Sequence, residues 1–454
     1  MCGIVGYIGN NQAPSILIDG LSKLEYRGYD SAGVAVHDGE NINILKTKGR
    51  LSNLVKLVIE NPLTGTLGIG HTRWATHGVP SDVNAHPHIS NDNMIAVVHN
   101  GIIENYVDIK NELAAEGCVF LSDTDTEVIA HLIDKYYKEC LDFEDAVFKA
   151  VNRFEGAYAI GIICKDCPDK LIAVRKGSPL VIGKGNGENY IASDIPALLN
   201  YTREVYFLEE DEVAVLTKDS VAIYDKNRNR VEREIYHVTW DIEAAEKSGY
   251  AHFMLKEINE QPKIVRETIL NRVPENGDGI DLENIKLDRK DLENIDRIYM
   301  VACGTAYYAG LIGKHLIEKI CRIPVISEVA SEFRYSDPII DDRTLLIVVS
   351  QSGETADTLE ALRISKKNGA RVLAIVNAVG SSIAREADDV FYILAGPEIA
   401  VASTKAYSAQ VAAMYILACH IALELGKMTK DEFKEIKEQL YMLPSKIELI
   451  LQKQ

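Results

Sequence analysis

The sequence has no surplus of positive charge. Across 454 residues, 49 Lys and Arg stand against 67 Asp and Glu, leaving a formal charge of −18 with no basic block. Such a surface repels a phosphate backbone over most of its area, so no nucleic-acid partner is expected. Nor is there a cysteine framework. Eight cysteines are scattered at 2, 118, 140, 164, 167, 303, 321 and 419, and the lone C-x-x-C, Cys164 with Cys167, lacks a second pair or a nearby histidine. Neither a disulfide scaffold nor a zinc site follows, and the usage suits a reducing cytosol. Glycine (31) and proline (13) fall far short of a low-complexity composition, so the whole chain is expected to fold. Long hydrophobic runs are also missing. The longest, Val411 to Cys419, is too short to span a bilayer, and Met1-Cys2-Gly3 enters a strand-like run without a basic leader. The expectation is a cytoplasmic protein with no membrane partner. No G-x-G-x-x-G fingerprint or P-loop Gly-Lys-Ser is present.

What is present divides into two patterns. Up to about residue 240, short β-branched runs such as Gly33–Val36, Ile95–Val98 and Tyr158–Ile163 alternate with Gly, Asn and Asp turns. Helical spacing appears at Ala13–Leu24 and again at Thr126–Lys138, where Val128, Ile129, Leu132, Ile133 and Tyr136 recur. Strands with few helices and no βαβ alternation predict a layered α+β domain over 2–240. Residues 241–290 turn polar and rich in Lys and Glu, and read as a linker. From 291 to 430 the pattern becomes strand, turn, helix, strand: Arg297–Ala302 runs into Cys303-Gly304-Thr305, and Leu345–Val349 into Ser350-Gln351-Ser352-Gly353-Glu354-Thr355. This predicts a doubly wound α/β sheet with ligands beyond the carboxyl ends of its strands. Residues 431–454 read as the start of a further connection.

Cys2 follows the initiator Met, a position at which removal of Met1 places a free α-amine beside the thiol. An α-amine titrating near 7.7–8.0 can take the thiol proton directly or through water, so no separate histidine base is required. The alternative is a small residue opening a strand. Within His71-Thr72-Arg73-Trp74-Ala75-Thr76-His77-Gly78, Arg73 offers a bidentate grip for a carboxylate. His99-Asn100-Gly101 closes an apolar strand, where an amide and a glycine N–H make a suitable oxyanion pair, or simply an Asn-Gly turn. Asp125 precedes a helix and reads equally as an N-cap or as an ammonium ligand. His71, His77, His86, His88 and His99 lack the spacing of a helical metal pair, so no metal is expected.

Six ordered motifs carry a resemblance: Cys2–Gly6, Leu24–Gly33, His71–Gly78, Asn84–His88, His99–Gly101 and Thr124–Glu127. Together they are similar to the N-terminal-nucleophile glutaminase domain of the glutamine–fructose-6-phosphate aminotransferase family. The resemblance implies an αββα fold, with Cys2 as nucleophile and Asn100 and Gly101 as oxyanion hole. It further implies that Arg73 and Thr76, with His77 nearby, hold the glutamine carboxylate, that Asp125 holds the amino group, and that Trp74 gates the site.

Ser350–Thr355 places three hydroxyls and a row of N–H groups where a helix dipole is positive, which suits a phosphate monoester or, as the plainer reading, an N-cap. Ala302–Thr305, Ala330–Tyr335, Ser350–Thr355 and Val401–Ala406 resemble the first sugar-isomerase (SIS) subdomain of the same family. That resemblance implies that Thr305, Ser350, Gln351, Ser352 and Thr355 bind the phosphate of fructose 6-phosphate, with Val401 and Ser403 touching the sugar. It implies no cofactor, and a homodimer formed through the SIS domains. Position 306 is Ala where many relatives carry Ser. Family members continue for roughly 150 residues through a second SIS subdomain, about one domain. That portion supplies the imine lysine, the proton-moving glutamate and the ring-opening histidine, so these 454 residues are expected to retain glutaminase activity only.

Two other readings compete. A phosphoribosyl-transferring amidotransferase would need an acidic pair directly after a core strand, whereas Asp341-Asp342 precedes the run Leu345–Val349. A non-catalytic sugar-phosphate sensor would have lost glutaminase residues, yet all those named are present.

Overall fold

The computed structural model describes residues 2–75, 78–238, 248–277 and 279–453, in two compact units, Met1–Ile242 and Glu243–Gln454. In chain order the first unit contains β1 (Gly3–Ile8), α1 (Ala13–Leu24), β2 (Ser31–His37), β3 (Ile42–Lys48), α2 (Leu51–Glu60), β4 (Leu67–Arg73), β5 (His88–Ile89), β6 (Ile95–Ile103) and α3 (Tyr106–Ala115). There follow α4 (Glu127–Cys140), α5 (Phe143–Val151), β7 (Gly156–Cys164), β8 (Leu171–Lys176), β9 (Val181–Lys184), β10 (Asn189–Ala192), β11 (Glu204–Phe207), β12 (Glu212–Leu216), β13 (Val221–Tyr224), β14 (Arg230–Val231) and β15 (Tyr236–His237).

Among these strands an eight-stranded sheet runs β15-β11-β9-β10-β1-β4-β2-β3 and a seven-stranded sheet β14-β13-β12-β8-β7-β6-β5. The period of two in each strand sorts side chains between layers. On β1, Val5 and Tyr7 join α1 and α2 in one core, while Ile4 and Ile8 join the core between the sheets. On β6, Ile95 and Val97 face α4 and α5, while Ala96 and Val98 meet the facing sheet. The small residues Ala96, Ala159 and Ala173 in that central layer let the sheets approach closely. The result is helix, sheet, sheet, helix: the αββα arrangement. Cys164 ends β7 buried in the helix-side core, and Cys167 follows in a turn, with its N–H donating to the Cys164 carbonyl.

The second unit contains α6 (Phe253–Leu270), α7 (Arg289–Glu293), β16 (Arg297–Ala302), α8 (Gly304–Ile320), β17 (Val325–Val329), α9 (Ala330–Phe333), β18 (Thr344–Ser350), α10 (Ala356–Lys367), β19 (Arg371–Val376), α11 (Ser382–Glu386), β20 (Asp389–Tyr392), α12 (Lys405–Glu424) and α13 (Lys430–Leu451). Its sheet is parallel, in the order β17-β16-β18-β19-β20. Ile298, Met300, Leu345 and Ile347 face α6, α8, α12 and α13, and Tyr299, Val301, Leu346 and Val348 face α9, α10 and α11. Burial on both faces explains the unbroken apolar strands. The strand order reverses between β16 and β18, the switch point where such sheets bind ligands. α12 is long and apolar enough to cross a membrane, but two-thirds of that window (67%) is buried within the unit.

The segment expected as a linker differs. Residues 253–270 form α6, whose Ile264, Val265 and Ile269 belong to the second unit's core. Lys256 and Glu257 are buried and Glu260 half-buried, while Lys263 and Arg266 face outward. Glu257 accepts the N–H groups of Ile399 and Ala400 at 2.6 and 3.1 Å, and Glu260 accepts from Lys405 at 2.6 Å. Likewise, 431–451 continues as α13, with Phe433 and Leu440 in the same core.

Candidate active site

Cys2 stands at the head of β1, in the middle of the eight-stranded sheet, and Asn100 on β6 of the facing sheet. The site forms where the two sheets meet. The Asn100 amide nitrogen donates to the Cys2 carbonyl at 3.1 Å and to Ser193 Oγ at 2.9 Å, while Ser193 Oγ also accepts the Ile4 N–H at 2.8 Å. The Cys2 thiol accepts the Trp74 N–H at 3.2 Å. Burial pushes the thiol's pKa up, against the opposing Trp74 hydrogen bond, so sulfur is protonated at neutral pH and attack requires a base.

A cavity of about 410 Å³ opens beside the thiol, lined by Cys2, Arg73, Trp74, Asn100, Gly101 and Asp125, and also by Arg27, His86, Ser178 and Pro179. Arg73 ends β4, and the turn after it is pinned by Asp30, whose carboxylate accepts the Ala75 N–H. Arg73 Nη2 donates to the Gly78 carbonyl at 3.2 Å. Trp74 is 42% exposed and meets Tyr29 edge-on at 5.1 Å, putting an aromatic pair at the cavity mouth. Thr76 and His77 lie outside the described residues.

Two local expectations are corrected. Asn100 and Gly101 form no turn and do not close the strand, because β6 continues to Ile103 and pairs throughout with β7. Gly101 makes this possible with φ +119°, at a point where a Cβ would sit 2.0 Å from the Ala157 carbonyl oxygen. Asp125 is not the N-cap, which is Thr126. Its carboxylate accepts the Ile103 N–H at 2.8 Å from the cavity wall.

His71, His86, His88 and His99 have no role legible in the sequence. All four are buried, and burial holds each imidazole's pKa below its ordinary value, His71 down to about 3. Burial thus favours the neutral rings, and each has a hydrogen-bond partner: His86 Nδ1 lies 3.1 Å from His71 Nε2, His88 Nε2 3.2 Å from Thr124 Oγ1 and His99 Nδ1 2.9 Å from Thr126 Oγ1. Lys46 secures the segment carrying His86 and His88 by donating to the carbonyls of Val83, Ala85 and Pro87. Arg27, Ser178 and Pro179 were missed as lining residues. Only Arg27 gave a sequence signal, a lone cation between Tyr26 and Gly28.

In the second unit, Ser350 and Thr305 stand at the carboxyl ends of β18 and β16, on either side of the switch point. Ser350 is buried: its hydroxyl accepts the Gly353 N–H at 3.0 Å and lies 3.0 Å from Thr355 Oγ1, so it shapes the loop. Thr305 is exposed, and Gln351, Ser352 and Thr355 are half-buried. Val401 and Ser403 stand on the separate loop leading into α12, Val401 fully outward and Ser403 half-buried. Asp341-Asp342 lies before β18, at the opposite end of the strands from this loop.

Glutamine–fructose-6-phosphate aminotransferase (isomerizing) of Clostridium tetani is 58% identical over 452 residues, covering 100% of this chain and 74% of that relative. The chain belongs to the glutamine–fructose-6-phosphate aminotransferase family. The Clostridium perfringens protein of the same name is 59% identical over 451 residues, 99% of this chain and 73% of that one. The glutamine amidotransferase domain matches residues 71–200 and the SIS domain residues 291–419. A solved C-terminal domain of glucosamine-fructose-6-phosphate aminotransferase from Francisella tularensis aligns at 42% identity and TM-score 0.41, over 44% of this chain and 55% of that chain.

Proposed function

We propose that the first unit hydrolyses glutamine and that the second binds fructose 6-phosphate, the acceptor to which the family's named reaction delivers the amide nitrogen. The observation that carries the reading is the Asn100 amide nitrogen, held 3.1 Å from the Cys2 carbonyl in the wall of the cavity beside the thiol. Sulfur attacks the carboxamide carbon of glutamine, and the thiol proton passes to the α-amine exposed by loss of Met1 and then to the departing nitrogen. Ammonia leaves, a γ-glutamyl thioester remains, and water cleaves it to glutamate and free thiol. The Asn100 amide, exchanging its hydrogen bond to the Cys2 carbonyl for one to the substrate, and the Gly101 N–H stabilise the oxyanion in each half. Arg73, with Thr76 and His77, holds the substrate carboxylate, Asp125 its ammonium group, and Trp74 covers the mouth.

In the second unit the N–H groups of the Ser350–Thr355 loop and the N-terminus of α10 receive the phosphate, Thr305 adds a hydroxyl from across the switch point, and Val401 and Ser403 contact the sugar. A homodimer contact belongs to this unit, where Tyr308 and Leu311 on α8 remain exposed. The chain spans 74% of its Clostridium tetani relative. For these 454 residues the proposed activity is glutamine hydrolysis with sugar-phosphate binding.

The test assays glutamate and glucosamine 6-phosphate from the purified chain, with and without fructose 6-phosphate. Glutamate alone is expected, abolished by Cys2→Ala and reduced about 10²- to 10³-fold by Asn100→Ala. Near-normal hydrolysis by either variant refutes the assignment, and stoichiometric glucosamine 6-phosphate refutes the restriction to hydrolysis.

A further inference from the structure

We propose that His71 is a positioning residue for glutamine hydrolysis: its Nε2–H holds the Asn100 side-chain oxygen, so that the amide nitrogen, not the oxygen, is turned toward the reacting carbonyl. The inference rests on the reading of Asn100 as an oxyanion donor and names what makes it one.

An asparagine amide presents two donors on one side and an acceptor on the other, and only the donor side stabilises an oxyanion. Its orientation follows from what surrounds it. The Cys2 carbonyl can only accept, so the group 3.1 Å from it is the Asn100 NH₂. Asn100 Oδ1 therefore points the other way, to His71 Nε2 at 2.9 Å. His71 Nε2 also lies 3.1 Å from the His99 backbone carbonyl, a second group that can only accept. Two acceptors around one nitrogen require that nitrogen to carry the proton.

The tautomer then propagates. His86 Nδ1, 3.1 Å from the same Nε2, must present its lone pair, since a second N–H there would oppose the first. His71 is fully buried on β4 of one sheet, whereas Asn100 lies on β6 of the other, so this hydrogen bond crosses between the sheets beside the cavity. A cationic imidazole would also donate through Nδ1, which is buried and has no partner among the described residues. Neutrality is thus built into the arrangement. Ser193 Oγ, 2.9 Å from the amide nitrogen, steadies the donor side but cannot satisfy Oδ1. Without His71, Oδ1 is left as an unpaired buried acceptor, and a flipped or tilted amide no longer loses a hydrogen bond there.

Three variants of the mature chain decide the matter. His71→Phe keeps a planar ring but removes the donor, and kcat is expected to fall about 10- to 100-fold with KM for glutamine within about threefold. His71→Gln, whose amide nitrogen reaches the place of Nε2, restores kcat to within about fivefold of wild type. The same His71→Phe change in an Asn100→Ala background costs no further kcat, because the group it positions is gone.

Equal losses in both backgrounds, an unchanged kcat in folded His71→Phe, or a rise confined to KM would each overturn the proposal. If the Phe variant does not fold, His71→Gln decides alone: folded protein with kcat lowered more than about tenfold overturns it. Failure of the underlying reading looks different, since there Asn100→Ala itself hydrolyses glutamine at the wild-type rate.

Discussion

Replacing Gly101 by alanine tests the strand geometry of the oxyanion site with a single methyl group. Gly101 sits at φ +119°, and an added Cβ would meet the Ala157 carbonyl oxygen at 2.0 Å and its carbon at 2.8 Å. Carbon and oxygen come no closer than about 3.3 Å in ordinary contacts, so more than about 1 Å of overlap must be relieved. Relief comes from parting β6 and β7 or from rotating the peptide, and either takes the Gly101 N–H off its line. The positive φ costs about 1–2 kcal/mol and the overlap about 1–3 more, together about 2–5 kcal/mol. Gly117 supplies the control: its φ is +97° and no atom of the described residues lies within 4 Å of its Cβ position, so Gly117→Ala should show the backbone term alone. At about 2–4 °C per kcal/mol for a domain of this size, the first unit's thermal midpoint should fall roughly 4–20 °C for Gly101→Ala and roughly 2–8 °C for Gly117→Ala. Glutamine hydrolysis at a temperature where both remain folded should be at least about 10²-fold slower for Gly101→Ala and near normal for Gly117→Ala. A folded Gly101→Ala protein with kcat within threefold of wild type would refute the reasoning.

Acid should loosen the wall that carries Asp125. Burial alone would raise the Glu127 carboxyl, but the nearby His131 ring, with Nε2 at 3.6 Å, and hydrogen bonds from the Leu121 N–H and the Ser122 N–H and hydroxyl outweigh it and hold its pKa down to about 2 from 4.5. A depressed carboxyl contributes its stability above the unfolded value and loses it as pH falls toward 2. The span is on the order of 3 kcal/mol, and urea midpoints across this range should fall more steeply for wild type than for Glu127→Gln, equal slopes counting against the assignment. In the second unit, Ser350→Ala removes the acceptor of the Gly353 N–H. Binding of fructose 6-phosphate, followed by calorimetry, should weaken about tenfold or more; unchanged affinity would remove Ser350 from the phosphate loop.

The parts legible in the sequence were those governed by local periodicity. Short β-branched runs with few helices gave a layered α+β domain, with the αββα order coming from the resemblance, and strand–helix alternation from Arg297 onward gave the doubly wound sheet. Cys2, Arg73, Asn100, Gly101 and Asp125 were each singled out on chemical grounds, and the fold brings them to one cavity. The misreadings came from partners distant along the chain. α6 looked like a linker because Glu257 and Glu260 are charged, yet their partners, Ile399, Ala400 and Lys405, lie about 140 residues away. Asn100-Gly101 looked like a turn because the dipeptide favours one, whereas pairing with Ala159 and Tyr158 keeps it within a strand. The histidines carried no local signal because what defines them is burial between two sheets.

Mapping the site of covalent capture tests the central claim most directly. An electrophilic glutamine analogue, with a halomethyl ketone in place of the carboxamide, should alkylate the chain once, and peptide mass spectrometry should find the label on an N-terminal peptide that begins at Cys2 and lacks Met1. Excess glutamine should protect it, and a variant with one alanine inserted between Met1 and Cys2, which blocks the α-amine while keeping the thiol, should be labelled far more slowly. Label on any of the other seven cysteines with Cys2 untouched, or full-rate labelling of the inserted variant, would contradict the account.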